Sequence, residues 1–345
     1  CEVCARTAFA DDWLDGDLSE AHWDRIRADL PLVEHLHLQG WGEPLLHPRI
    51  ANMARDAHAA GCRVGLTTNC DLLGEATKWI VSGAVDVLAV SLAGGEEWNR
   101  LLRGDARPDS IFDVVEHLAR ARSRRKKPRI HVSYLLVEGN AADLAGTVRA
   151  GAMAGVDKIF VNHLDCVPTG ELRELAAYSR GAVSQSIQEE LEEAKRTALE
   201  LGIDLRLPVM EPQEMLACAL DPRHMACVRW DGVVAPCVHL NLPISGSVPR
   251  MTSMGPIKVA PYPYGHLDDG PLSEILGGEA RREFTAPFYR RCEADDRYRE
   301  WGLLASGWGV VALADLDRAY DKLEGELAEN PFPPPCRGCP KTEGW

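Results

Sequence analysis

Three things are scarce in this sequence, and each closes off a class of protein. Positive charge is the first: 38 Lys and Arg stand against 52 Asp and Glu, a formal net charge of −14. Nucleic-acid backbones are bound through a basic field, so nucleic acid is not an expected partner. Long apolar runs are the second. None approaches the roughly 18 residues of a spanning helix, so no membrane partner is expected. Internal repeats and low-complexity tracts are the third, which sets aside solenoids and extended disorder. The sequence opens at Cys1 without a starting Met and shows no signal-peptide pattern, which is weak evidence on targeting because whatever precedes Cys1 is unknown. The expected location is the cytoplasm.

Cysteine, in contrast, is plentiful, with 11 in 345 residues. An odd count in a chain this long, with strand and helix signals alternating, is unlike a small secreted disulfide scaffold. Metal-bound thiolates in a reducing compartment suit it better. Cys62, Cys70, Cys166, Cys218 and Cys292 stand alone and read as inert buried thiols. The others form two spaced sets, Cys1 with Cys4, and Cys227 and Cys237 with Cys336 and Cys339.

The apolar share of 46% is enough for a substantial core, and the length suits one large domain with a smaller one. Strands are expected at 35–38, 64–67, 85–92, 129–137, 158–162 and 204–207. Helices are expected at 48–60, 72–82, 110–122 (with Ser110 as N-cap), 140–154 and 185–201, with Gly61 and Gly83 closing the first two. Such alternation builds βα units and a parallel sheet, closed or partly closed as a barrel. The chemistry of such barrels sits at the C-terminal ends of the strands. The basic run from Arg122 to Lys127 reads as a solvated helix end. After about residue 210 the pattern gives way to Pro- and Gly-rich loops, so two domains are expected, 1–210 and 211–345. Pro331 to Pro335 reads as a stiff connector leading to Cys336.

At those strand ends lie Gly40-Trp41-Gly42-Glu43-Pro44, then Thr68-Asn69, then Ser91. The first is not half of a dinucleotide G-x-G-x-x-G, because Leu45 stands at the third glycine. Cys1-Glu-Val-Cys4 alone suits zinc, a redox disulfide or a cluster. Trp230 to Val234 reads as a hairpin tip bringing Cys227 and Cys237 together. With Cys336-Arg-Gly-Cys339, these give four thiolates. That count fits either a tetrahedral structural zinc in a non-enzymatic scaffold or an iron–sulfur cluster.

Taken in order, these segments resemble the radical S-adenosylmethionine superfamily with a SPASM or shorter twitch extension. The expected fold is therefore an α/β, partial (β/α)6-type barrel lacking its first strand, plus a small C-terminal SPASM/twitch domain. The resemblance implies a C-x3-C-x2-C loop holding a [4Fe–4S] cluster that binds S-adenosylmethionine. Cys1 and Cys4 match its last two cysteines. The third would lie four residues upstream, so an N-terminally truncated chain is expected. It further implies cofactor contacts at Gly40, Trp41, Gly42, Glu43, Thr68, Asn69, Ser91 and Arg103, with Tyr134 and Leu136 on the strand against adenine. Trp41 stands where the family usually has glycine.

In the extension, C-x9-15-G-x4-C followed by C-x2-C implies that Cys227, Cys237, Cys336 and Cys339 hold one auxiliary [4Fe–4S] cluster. Gly265-His266-Leu267 and Leu272 to Leu276 resemble the segment between the two pairs. The implied activity is hydrogen abstraction by a 5′-deoxyadenosyl radical from a peptide, protein or cofactor substrate. A ferredoxin or flavodoxin would be the electron donor. Arg6, the Trp41 segment, Trp230-Asp231-Gly232 and the closing cysteine pair look most like SPASM proteins that modify the tungsten cofactor of aldehyde ferredoxin oxidoreductases. No general acid or base stands out. His163 and Asp165 follow a strand end, and Asp165 is the better proton acceptor if buried.

Overall fold

The structure is a computed structural model that describes residues 1–104, 107–122, 127–178, 183–252, 255–306 and 313–345, apart from the side chains of 299–306 and 313–317. Six strands, β1 (His35–Leu38), β2 (Arg63–Thr68), β3 (Val87–Leu92), β4 (Arg129–Leu136), β5 (Lys158–His163) and β6 (Asp204–Arg206), form one sheet. Every neighbouring pair is parallel and the order is sequential. The expected α/β class is what the structure shows.

Helices α1 (Ala5–Ala8) and α2 (Glu20–Asp29) precede β1, and between the strands lie α3 (Ile50–Ala59), α4 (Leu73–Trp79), α5 (Glu96–Arg103), α6 (Pro108–Ala121), α7 (Leu144–Ala154), α8 (Gly170–Leu175) and α9 (Gln185–Leu201). Local chemistry sets their ends. Ser19 and Ser184 cap α2 and α9 by accepting from the backbone N–H three residues on. Gly155 and Gly202 stop α7 and α9 in the left-handed conformation. The expected Ser110 N-cap is corrected. Helix α6 begins two residues earlier with Pro108 in its first turn, where a missing N–H costs nothing.

Strand alternation divides the sheet into two faces. Val64, Leu66, Leu88, Val90, Leu92, Ile130, Val132, Tyr134, Ile159 and Val161 are buried in the main core. The alternate positions, Thr67, Ala89, Ser91, Ser133, Leu135 and Asn162, stay partly open. This half-open face is where a small molecule can lie.

Of the basic run, Lys127 is half exposed but Arg122 is not solvated. Arg122 is 9% exposed and forks onto Asp157, which is 10% exposed. It also donates to the Gly155 carbonyl, while Asp157 accepts from the Ile130 N–H. The expectation for 123–126 lies outside the described residues. Arg122→Ala is expected to destabilise folding by about 3 kcal/mol, because a buried carboxylate loses its main partner. Arg129 remains 3.6 Å from Asp157 and keeps the loss from being larger. Urea unfolding checks this; a change within about 0.5 kcal/mol, the range of an ordinary surface substitution, refutes the reading.

Beyond Arg206 the architecture changes. Strands β7 (Cys227–Val228), β8 (Val233–Ala235) and β11 (Gly265–His266) form a small antiparallel sheet, and β9 (Val248–Thr252) pairs with β10 (Gly255–Val259). Helices α10 (Leu272–Leu276), α11 (Glu279–Ser306) and α12 (Leu313–Glu329) follow. Arg291, 1% exposed, ties α11 to both flanks by donating to the carbonyls of Met215, Leu216, Leu327 and Asn330. A short turn, Pro334–Cys336, then delivers the closing cysteine pair. Among the described residues no helix is long and apolar enough to cross a membrane.

Candidate active site

The segment after β1 is held by one carboxylate. Glu43 Oε1 accepts from the Thr68 hydroxyl at 2.8 Å and the Leu45 N–H at 3.0 Å, and Oε2 accepts from the Asn69 N–H at 2.7 Å. The ends of β1 and β2 are thereby locked together. Thr68 also accepts from the Cys70 N–H, so its hydroxyl is fully engaged. Asn69 exchanges hydrogen bonds with Asp71. A Cβ at Gly40 or Gly42 would meet nothing within 4 Å, and neither has a positive φ. The chain's own packing therefore does not require glycine at these positions, and the room above them is open to a ligand.

Cys4 caps α1, and the loop from Cys1 is pinned by the Glu2 N–H donating to the Leu102 carbonyl at 3.1 Å. That bond brings the cysteine loop beside Arg103. The Arg103 Nε is buried without a partner. Burial lowers the guanidinium's pKa, and the charges available at Cys70, Asp71, Glu43 and Cys4 oppose that shift. Four of the sequence-predicted positions, Cys4, Gly42, Glu43 and Arg103, thus share one neighbourhood. An unpaired arginine donor there fits a carboxylate-bearing ligand.

Ser91 lies on the half-open face, level with Ser133 on β4, whose hydroxyl accepts from Asn162 Nδ2 at 3.1 Å. Asn162 lies at a strand end where chemistry was expected; Ser133 was not read from the sequence, although period-two alternation marks it. Tyr134 and Leu136 are ordinary core residues. Both are 0% exposed on the helix-packed face, and the Tyr134 hydroxyl donates to the Asn140 carbonyl. Leu135 is the β4 residue that faces inward.

Trp41 does not occupy the glycine position idly. Its ring meets Trp13 edge-on at 6.0 Å and His239 at 6.1 Å, and its Nε1 donates to the Val238 carbonyl. It joins the β1 segment to the C-terminal segment. Beside it Asp165 Oδ2 lies 3.0 Å from Lys341 Nζ and 3.6 Å from His239 Nε2. Burial alone would raise the Asp165 pKa; His239 and Lys341 outweigh it and hold the carboxyl well below its ordinary range. The side chain keeps 34% of its surface open, so this charged group faces a cleft. His163 points elsewhere and contacts the Val209 carbonyl.

The cysteines behind the cleft regroup. Burial raises the pKa of Cys237 to about 12, with Cys339 and Cys218 adding to the shift. Cys336 is raised by burial and then by Cys339, Cys237 and Cys218. Cys218 in turn is raised by burial, with Cys339 among its neighbours. Cys227 stands apart, and its thiol interacts with Asn241 and Arg229 instead. The expected hairpin forms, but its register pairs Cys227 with Ala235, leaving Cys237 beyond its end. Cys218 is thus among the thiols that act on Cys237 and Cys336, while no other cysteine acts on Cys227. Cys218 is no isolated thiol.

No family model matches the chain. In sequence it is 26% identical, over 244 residues, to a "tungsten-containing aldehyde ferredoxin oxidoreductase cofactor-modifying protein" of Pyrococcus furiosus; the match covers 69% of this chain and 67% of that protein. In fold it is similar to a histidine-tagged form of anSMEcpe with bound AdoMet, at a TM-score of 0.58 and 14% identity, covering 95% of this chain and 94% of that one. It is also similar to Streptococcus suis SuiB bound to precursor peptide SuiA, at a TM-score of 0.52 and 11% identity, covering 77% and 60% respectively. The chain is thus similar in sequence to a cofactor-modifying protein and in fold to proteins solved with AdoMet or a precursor peptide, in line with the resemblance carried by its motifs.

Proposed function

We propose that this enzyme modifies a peptide, protein or cofactor by radical S-adenosylmethionine chemistry, with residues 1–210 as the radical unit and 211–345 as an auxiliary cluster unit. The observation that carries the reading is the meeting of Cys4, the Gly40–Glu43 segment and the unpaired Arg103 donor at the C-terminal ends of the strands. Cys1 and Cys4 supply thiolates for the first cluster. Held by these residues, a [4Fe–4S] cluster with S-adenosylmethionine would supply radical hydrogen-abstraction chemistry, driven by one electron from a ferredoxin- or flavodoxin-type donor.

The chain's own residues orient and shield. Arg103 pairs with the methionine carboxylate. The open backbone over Gly40 and Gly42 admits the cofactor, and Ser91 offers a hydroxyl from the inner face. Trp41 closes the cleft toward the C-terminal segment and limits entry of water. Cys218, Cys237, Cys336 and Cys339 hold the auxiliary cluster. Asp165 presents its second oxygen, which has no protein partner among the described residues, to a donor group of the substrate.

The similarity to the tungsten-cofactor protein and to SuiB with its peptide supports a substrate of cofactor or peptide type. The reading is tested on the full-length protein, reconstituted anaerobically with iron and sulfide. Reductive release of 5′-deoxyadenosine from S-adenosylmethionine, lost in Cys4→Ala, supports it. Release unchanged in Cys4→Ala, or absent from a cluster-loaded protein, overturns it.

A further inference from the structure

Far from the cleft, helix α2 meets the C-terminal segment through three groups that the proposed reaction does not use. His22 Nε2 lies 3.2 Å from Asp268 Oδ1, and His266 Nδ1 lies 3.6 Å from Asp268 Oδ2. One ligand atom from each of the three falls within 4.8 Å of the others, and among the described residues no other His, Cys, Asp or Glu trio does so. We propose that His22, His266 and Asp268 bind one divalent transition-metal ion, zinc by the chemistry of its donors, stapling α2 to the C-terminal segment.

The spacing is that of a tetrahedral centre. Zinc bonds of about 2.0–2.1 Å place neighbouring ligands about 3.3 Å apart. The His22–Asp268 distance already matches, and His266 needs only a small rotation. Two imidazoles and one carboxylate are borderline donors, suited to zinc and poor for magnesium or calcium. His266 Nδ1 accepts from the Asp268 N–H at 3.1 Å, so it is the unprotonated nitrogen; binding an ion requires its single lone pair to leave that hydrogen bond, which the same ring rotation achieves. The His22 ring is only 14% exposed, and its Nδ1 is buried without a partner.

Space is reserved as well. A Cβ at Gly232 would lie 2.9 Å from His22 Nε2 and 3.1 Å from His266 Cε1. Glycine at this hairpin tip, φ +96°, keeps both imidazole edges clear. Asp268 is 62% exposed, which gives an ion a path in and leaves a fourth position for water. Arg25 opposes binding: its Nη2 lies 3.7 Å from Asp268 Oδ1. Its charge lowers the affinity without occupying the triangle, since the guanidinium also donates to the Leu267 carbonyl.

The experiment is zinc uptake by the full-length protein, before and after iron–sulfur reconstitution, measured by metal analysis after washing with a competing chelator. Wild type is expected to retain one zinc per chain that Asp268→Asn and His266→Gln lose, at least a tenfold loss of affinity. Arg25→Gln is expected to bind more tightly. Cadmium bound in place of zinc should give a 113Cd resonance in the nitrogen and oxygen range. The wild type and Asp268→Asn comparison reads the same whether or not the cysteines hold iron, so it is separate from the radical reading. Circular dichroism confirms that the variants fold. Equal zinc in wild type and Asp268→Asn, no retained zinc, or a cadmium resonance only in the thiolate range overturns the site.

Discussion

Cys218→Ala is expected to abolish the auxiliary cluster, and Cys227→Ala to leave it in place. On reconstitution a [4Fe–4S] centre contributes about four irons and four sulfides. Cys218→Ala should lose most of that contribution, because one iron is left open to solvent and, unlike at the first cluster, no S-adenosylmethionine is there to close it. The thiols of Cys218, Cys237, Cys336 and Cys339 act on one another, and burial raises the pKa of each. Thiols that resist ionising alone are stabilised as thiolates once iron binds, so iron uptake releases protons and adds folding free energy. Cys227 has no such neighbours; the Asn241 side chain donates to its carbonyl and to that of Val233, fixing the hairpin. Its loss is expected to cost about 1 kcal/mol of stability and no iron. Iron and sulfide analysis of the two variants decides the matter. Full iron in Cys218→Ala, or its loss in Cys227→Ala, would show that the thiols regroup when the cluster forms.

The sequence held the signal for Cys218 in a form easily passed over. Thirteen residues separate it from Gly232, inside the nine-to-fifteen window of the motif, whereas Cys227 is only four residues away. The apolar hairpin drew attention to the cysteine at its base, and antiparallel register then set that residue opposite Ala235. The six strands were legible because their buried faces alternate and glycines punctuate the helices between them. Which face a residue takes was less so. Leu135 and Tyr134 are both plausible against a planar ligand, and one step of register decides between them. The Asp165, His239 and Lys341 grouping was not legible at all, since its members lie on three distant segments. Trp41 read as a departure from the usual glycine; only its contact with Trp13 and His239 shows that the larger side chain serves packing.

Glu43→Ala is expected to weaken S-adenosylmethionine binding about a hundredfold, although Glu43 does not have to touch the cofactor. The carboxylate takes three hydrogen bonds, from Thr68, Leu45 and Asn69. Each bond to a charged group is worth about 1.5–3 kcal/mol. Removing all three frees the segment over Gly40 and Gly42, which must then be ordered again when ligand binds. An ordering cost of about 2.7 kcal/mol is a hundredfold in affinity. Removal of the charge also takes away one of the groups that oppose the lowering of the Arg103 pKa by burial. Glu43→Gln keeps an acceptor oxygen of the same reach but loses the charge and one acceptor. It should fall between, at about tenfold. Equilibrium binding of S-adenosylmethionine to the cluster-loaded full-length protein, with both variants confirmed folded, measures this order. Equal loss in the two variants would show that charge on Arg103 is what matters. No loss in either would show that the β1 segment is held by its contacts through Trp41 instead.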